Sequence, residues 1–233
     1  MVHKYFDVKT LIIYVLILSG FLFSTLLGNE AVTVFTNEMI PQYTVILDAG
    51  HGGVDSGAVS CTGAYESHIN LDIALKLNDI MHLLGISTIM VRDSDISVHT
   101  QGTTIATKKI SDIKERVKLV NSTPNALLVS IHQNSFPESR YSGAQVFHNA
   151  VFKSDELAAV LQAAFRENLK PSNMRKSKKA LGVYLLEHIN APGVLIECGF
   201  LTNPEEEKLL RESEYQMKIS IVIASVISQY LNT

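Results

Sequence analysis

The chain has 233 residues and a mass of 25.7 kDa, which suits one domain and a terminal segment. Its 20 basic and 23 acidic residues nearly balance and form no long basic tract, so no nucleic-acid partner is expected. The two cysteines, Cys61 and Cys198, lie far apart and form no Cys-x-x-Cys pair. This excludes a structural zinc ribbon and argues against a disulfide framework.

Residues 1–28 have the pattern of an export segment. Lys4 and Lys9 precede an apolar run from Leu11 to Leu27. The length of this run lies between a signal-peptide core and the shortest spanning helix, and no small-x-small cleavage site follows it. We therefore expect an N-terminal apolar helix that acts as a signal peptide or a signal anchor. The lack of a cleavage site favours the uncleaved anchor. We expect the two lysines to stay on the cytoplasmic side and the residues after this segment to be exported. Only this segment is expected to contact the membrane.

A linker over residues 29–42 leads to the expected folded domain, residues 43–233, where apolar patterns alternate between strand and helix. Strands are predicted at 43–47, 86–91, 127–131, 144–148, 183–186 and 194–196, and helices at about 69–84, 111–121, 154–169 and 217–230. This alternation predicts an α/β fold: a single three-layer αβα domain with a mostly parallel, twisted sheet and helices on both faces.

Two histidines and one glutamate lie where predicted strands end or a helix begins. His51 stands among glycines directly after the first strand, Glu66 precedes a helical run, and His132 follows the strand 127–131. Each has an ordinary explanation alone; acids, for example, favour the first turn of a helix through its dipole. Together they form the ligand set of a catalytic zinc that keeps one position for water. The sequence therefore favours a metal-dependent hydrolase.

Glu197 directly follows the apolar run Val194–Ile196. A carboxylate there is costly to bury without a partner. A nearby metal-bound water or a protonated state would make the position tolerable, and local backbone donors are the alternative. His148, at the end of another predicted strand, is a weaker candidate for a place beside the substrate.

Three runs resemble the zinc-dependent N-acetylmuramoyl-L-alanine amidases: Val45–Gly53, Ser130–Asn134 and Leu195–Pro204. Glu66 with Asn70-Leu71, and the strand-end pair Val91-Arg92, match the same family. Within this family, four segments look most like the germination-specific amidases of spore formers: Asp93–Lys109, Glu115–Asn121, Ser142–Gln145 and Leu181–Leu185. Ala49 stands where proline is usual, Ser67-His68 where a lysine-acid pair is usual, and Gln133 where a small or apolar residue is usual. None of these departures removes a ligand.

The resemblance implies that residues 43–233 are a zinc amidase catalytic domain. His51, Glu66 and His132 would hold one Zn²⁺ per chain, and Glu197 would move a proton from water to the departing amine of L-alanine. Asn134 and Arg92 would contact the substrate or support the ligands.

The implied substrate is peptidoglycan, cut between the lactyl group of N-acetylmuramic acid and L-alanine. This would occur outside the cytoplasmic membrane, at the forespore cortex, as a step toward muramic lactam and germination. An exported accessory or activator protein is expected, because the sequence shows no wall-binding module. The alternatives are a zinc peptidase that cuts the stem peptide and a catalytically silent wall-binding relative.

Overall fold

The computed structural model describes residues 43–232, so the expectations for residues 1–42 lie outside the described part. The strands are β1 Thr44–Ala49, β2 Thr88–Met90, β3 Ala126–Asn134, β4 Gln145–His148, β5 Lys178–Lys179 and β6 Gly193–Phe200. The helices are α1 Glu66–Leu83, α2 Ile105–Ser122, α3 Ser154–Asn168, α4 Tyr184–His188, α5 Pro204–Leu210 and α6 Ser213–Leu231. None of these helices combines the length and apolar character that crossing a membrane requires.

The six strands form one sheet in the order β2-β1-β3-β6-β4-β5. The first four are parallel, β4 is antiparallel to β6, and β5 is parallel to β4. The predicted mostly parallel sheet is therefore confirmed. Because β1, β3 and β6 are parallel neighbours, their carboxyl ends meet at one edge of the sheet, which is where such sheets bind ligands.

Helices cover both faces of the sheet, as the sequence predicts. Val45 and Leu47 of β1 belong to a core formed with α1, α3 and α6, whereas Ile46 belongs to a second core. That second core includes Leu128 of β3 and side chains of α2 and α4. The alternation along β1 follows from the two-residue period of a strand, which buries successive side chains on opposite faces.

One predicted strand and the predicted start of one helix need correction. Residues 183–186, predicted as a strand, lie at the start of the short helix α4. A four-residue apolar run does not distinguish a strand from a buried helix, which explains the error. Helix α2 begins at Ile105, earlier than the predicted start at Ser111, because Thr104 and Thr107 form a capping box there.

Two elements were not predicted. Helix α5 follows Asn203, whose side chain accepts hydrogen bonds from the backbone N–H groups of Glu205 and Glu206, each at 3.1 Å. Asn203 followed by Pro204 is a helix-start signal that could have been recognised. Strand β5 has only two residues, too few to show any period.

Candidate active site

The chain leaves β1 in a tight turn that carries His51. His51 has φ +62° and therefore lies in the left-handed region, where a non-glycine residue is strained. Gly50 lies against the His132 ring, since a Cβ at this position would come 2.2 Å from Nε2 of that ring. Only glycine at position 50 allows the turn after β1 and the histidine of β3 to approach this closely.

The three ligands predicted from the sequence converge on one point. His51 Nε2 lies 3.3 Å from Glu66 Oε2, and His132 Nδ1 lies 3.0 Å from Glu66 Oε1. One ligand atom from each of the three residues lies within 4.8 Å of the others, close enough to hold a metal ion. The residues come from the end of β1, the start of α1 and the end of β3.

Glu66 is buried, but its carboxylate is well supplied with donors. The backbone N–H of Ala58 donates to Oε2 at 2.9 Å, and that of Gln133 donates to Oε1 at 3.1 Å. Although burial opposes it, hydrogen bonding to His132 and His51 holds the pKa of Glu66 well below its usual value. The group is therefore ionised, as a metal ligand has to be.

The other ring nitrogen of His51 contacts a second carboxylate. His51 Nδ1 lies 2.9 Å from Asp55 Oδ2, and Lys109 Nζ lies 2.7 Å from Asp55 Oδ1. Against the effect of burial, hydrogen bonds to Asp55 and Glu66 raise the pKa of His51 to about 9. A carboxylate behind a histidine ligand fixes the orientation of the ring. Sequence reasoning missed Asp55, although its place four residues after His51 in the same glycine-rich turn was a usable signal.

Glu197 lies on β6, directly paired with His132 on β3. Its Oε2 atom is buried and has no hydrogen-bond partner among the described residues. Burial raises the pKa of Glu197 to about 7. Of the alternatives left by the sequence, local backbone donors do not satisfy this oxygen, which leaves a nearby metal-bound water or a protonated carboxyl group.

Arg92 is only 2% exposed, and its guanidinium is used inside the protein. It donates to the carbonyl oxygens of Ala49 at 2.8 Å, Gly50 at 3.0 Å and Ser67 at 2.8 Å. These bonds agree with the supporting role predicted for Arg92. Substrate contact, the other predicted role, does not fit a side chain so fully enclosed.

A second buried arginine, which sequence reasoning missed, acts on the same turn. Arg116 of α2 forms an ion pair with Asp48 and donates to the carbonyl oxygens of Ala49 at 3.0 Å and His51 at 2.8 Å. Two guanidinium groups thus bind the three consecutive carbonyls of residues 49–51. They hold the backbone that presents His51 to the site.

The remaining candidates lie at different places. Asn134 ends β3 two residues beyond His132, and its backbone carbonyl accepts from the Leu201 N–H at 2.8 Å. His148 lies away from the site, because β4 is antiparallel and pairs Gln145 rather than His148 with Glu197. A cleft between α2 and α4 leads to the two histidines, and Lys109, Ile113 and Tyr184 contribute to its walls.

Comparison with known proteins identifies the family of this chain. Residues 45–229 match the family model described as N-acetylmuramoyl-L-alanine amidase. The germination-specific N-acetylmuramoyl-L-alanine amidase of Bacillus subtilis is 38% identical over 188 residues, which are 80% of this chain and 78% of that protein.

Solved structures show the same likeness. The CwlD amidase of Clostridioides difficile, solved in complex with the GerS lipoprotein, has a TM-score of 0.78 and 39% identity, covering 82% of this chain and 98% of that one. An N-acetylmuramoyl-L-alanine amidase of Clostridium difficile 630 has a TM-score of 0.71 and 30% identity, covering 83% and 98%.

A three-layer α/β domain with a His-Glu-His cluster at the carboxyl ends of its strands defines a metal-dependent hydrolase. The chain belongs to the N-acetylmuramoyl-L-alanine amidase family. The resemblance predicted from its three motifs is thereby confirmed.

We expect Arg116→Met to destabilise the fold strongly. The substitution keeps an apolar stem of similar length but leaves the Asp48 carboxylate buried without its cation, a change that typically costs about 3–5 kcal/mol. Urea unfolding of the metal-free protein measures the loss. Lys118→Met is the control, because Lys118 lies on the same helix with its side chain 77% exposed, and it should change stability by less than about 0.5 kcal/mol. Equal stability of the two variants would show that the ion pair is unimportant.

Proposed function

We propose that this protein is a zinc-dependent enzyme that hydrolyses the amide bond between the lactyl group of N-acetylmuramic acid and L-alanine in peptidoglycan. The observation that carries the proposal is the convergence of His51, Glu66 and His132 beside the unpartnered buried oxygen of Glu197. Two imidazoles and one carboxylate suit a catalytic zinc, with one ion per chain. The family membership supports the choice of substrate.

In this proposal each residue has a distinct task. His51, Glu66 and His132 would hold the zinc ion, which when bound would supply Lewis-acid polarisation of the scissile carbonyl and would lower the pKa of water from about 15.7 to about 7. Glu197 accepts the proton of the attacking water and later donates it to the amine of L-alanine as the C–N bond breaks. Burial raises the pKa of Glu197, which makes the carboxylate a better proton acceptor. Asp55 keeps the His51 ring oriented, while Asn134 is proposed to contact the substrate.

Binding the metal and using it should be separable by substitution. Glu197→Gln retains size and hydrogen bonding but cannot accept the proton, so the variant should keep its fold and zinc while losing about a hundredfold or more in rate. His132→Ala removes a ligand and should lose zinc together with activity. Metal content and release of peptide from purified peptidoglycan measure the two effects.

The identity of the new amino terminus completes this experiment. An amidase exposes only L-alanine, whereas a stem-peptidase would expose another residue and contradict the proposed bond. If Glu197→Gln lost zinc as completely as His132→Ala, Glu197 would be a ligand. Near-normal turnover of Glu197→Gln would require a different base.

We further propose that the enzyme acts outside the cytoplasmic membrane on spore-cortex peptidoglycan, as a step toward muramic lactam. The likeness to the germination-specific amidase of Bacillus subtilis supports the cortex as the setting. The apolar run between Leu11 and Leu27 supports export.

Export has its own test. Because Lys4 and Lys9 precede the apolar run, a reporter fused after Asn37 should lie outside the cytoplasm. Protease accessibility of the reporter in intact cells measures its location. Replacing the apolar run with a polar segment provides the control, since that fusion should remain inside. A cytoplasmic reporter in the unaltered fusion would contradict the proposed localisation.

An exported accessory protein is proposed to assist this amidase. The CwlD amidase of Clostridioides difficile was solved in complex with the GerS lipoprotein, and this complex supports the proposal of a protein partner. The segment 93–109 is a candidate contact, since it is largely exposed and ends at Lys109, whose partner Asp55 touches His51.

If a partner is needed, the purified chain alone should show incomplete zinc occupancy or reduced activity on cortex peptidoglycan. Both quantities should rise when the exported proteins of the source cell are added. Full occupancy and full cortex activity of the chain alone would make the partner unnecessary.

A further inference from the structure

One stretch of the chain contains basic residues but no acidic ones. Between Glu167 and Glu187 there are five cationic residues and no acidic residue, although the whole chain has a net charge of −3. The five are Lys170, Arg175, Lys176, Lys178 and Lys179. Such a concentration in an overall acidic protein creates a local positive field that can attract a polyanion.

Three of these cations are not neutralised inside the protein. Lys178 and Lys179 form β5, the outer strand of the sheet, and both are exposed, as is Lys176. None of the three forms an ion pair with another described residue. Lys170, in contrast, is paired with Glu206 at 2.9 Å.

The basic stretch is connected to the catalytic edge of the sheet. Gln145 of β4 pairs with Glu197 of β6, and the Gln145 side chain donates to the backbone carbonyl of Lys176. Lys176 therefore lies level with the catalytic glutamate, one strand beyond β4. The Arg175 guanidinium lies over the ring of Phe200, 4.8 Å from its centroid, and Phe200 ends β6 three residues after Glu197.

At its other end the basic stretch meets acidic residues. Lys179 lines a shallow hollow together with Lys153, Asp155 and Glu156. The positive surface is therefore bounded there, and its unopposed part is the side nearer the active site. We call Arg175, Lys176, Lys178 and Lys179 the basic edge.

We propose that the basic edge binds the peptidoglycan polymer through the free carboxylates of its stem peptides, next to the peptide that is being released. This inference rests on the proposed function, since it takes peptidoglycan as the substrate. Lysine suits such a partner because it is a flexible point charge that does not require a fixed ligand geometry. Several weak contacts along one polymer add up through high effective concentration.

Lysines on an edge strand also have a simpler use, because a charged edge prevents pairing with another sheet. That use needs charge of either sign and does not involve Lys176, which precedes the strand. Reversing the sign therefore separates the two roles: glutamate would protect the edge as well as lysine, but it would repel a carboxylate-bearing polymer.

The test uses the full-length, zinc-loaded chain with Glu197→Gln to prevent digestion. In this background Lys176→Glu, Lys178→Glu and Lys179→Glu are combined, and binding to insoluble peptidoglycan is measured by sedimentation at several salt concentrations. We expect binding at low salt to weaken at least about tenfold, with a flatter salt dependence, because screened charge attraction is removed. The control combines Lys114→Glu, Lys118→Glu and Lys218→Glu, three exposed lysines elsewhere with the same total charge change, and should bind like the parent.

Two further measurements sharpen the result. Parent protein should also bind about tenfold more weakly to peptidoglycan whose carboxylates have been converted to neutral amides. Zinc content and melting temperature verify the fold; if the reversed variant fails them, the corresponding lysine-to-glutamine variant replaces it and should show a smaller loss in the same direction.

Unchanged binding of a folded reversed variant would overturn the proposal. Binding to anionic lipid vesicles is measured in parallel. If the reversed variant lost binding to the vesicles but not to peptidoglycan, the basic edge would be a membrane contact and the proposal would be overturned. The proposed function is assessed separately, by release of peptide from a soluble muramoyl peptide by the parent with Glu197 intact. Failure of that reaction would not change the sedimentation result.

Discussion

The buried ion pair between Asp48 and Arg116 is the constraint on which the site depends. Both side chains are almost fully enclosed, so each charge has lost most of its hydration and needs the other. Arg116 also donates to the carbonyls of Ala49 and His51, which ties α2 to the turn after β1. Its Nε donates to Asp112 on the same helix. That turn includes a non-glycine residue in the left-handed region, and such a conformation persists when its surroundings determine it fully.

The proposed metal ligands depend on the tertiary fold in a second way, because they come from opposite sides of the sheet. Glu66 begins α1, which packs on one face, whereas the cleft leading to His51 and His132 lies between α2 and α4 on the other. The Glu66 carboxylate is held by two backbone N–H groups, that of Ala58 in a loop and that of Gln133 in β3. A site assembled in this way is absent from the unfolded chain, so metal binding would also stabilise the fold.

Much of this arrangement could be predicted from the sequence, and the reasons are physical. Strand ends are recognisable from apolar runs followed by glycine or polar residues, and parallel strands bring their carboxyl ends together, so His51 and His132 could be placed at one edge. Glu197 was recognisable because a carboxylate after a buried run needs a partner. Arg116 was not, since its contacts with Asp48 and the turn are with atoms 65 to 68 residues away. Its local ion pair with Asp112 has the i, i+4 spacing that is common on helix surfaces and does not indicate a site. Helix α4 was missed because its apolar run is too short to distinguish a helical period from a strand.

The distribution of charge complements the placement of the catalytic groups. An acidic chain and a polymer bearing carboxylates repel each other on average, so productive approach needs a local reversal of sign. In the proposal above, the basic edge supplies this local positive charge beside β4. The pairing of β4 with β6 brings Gln145 level with Glu197. The antiparallel direction of β4 is what makes this possible, since it returns the start of the strand to the catalytic edge and sends His148 away from it. The strand that breaks the parallel pattern is therefore the one that connects the outer basic surface to the site.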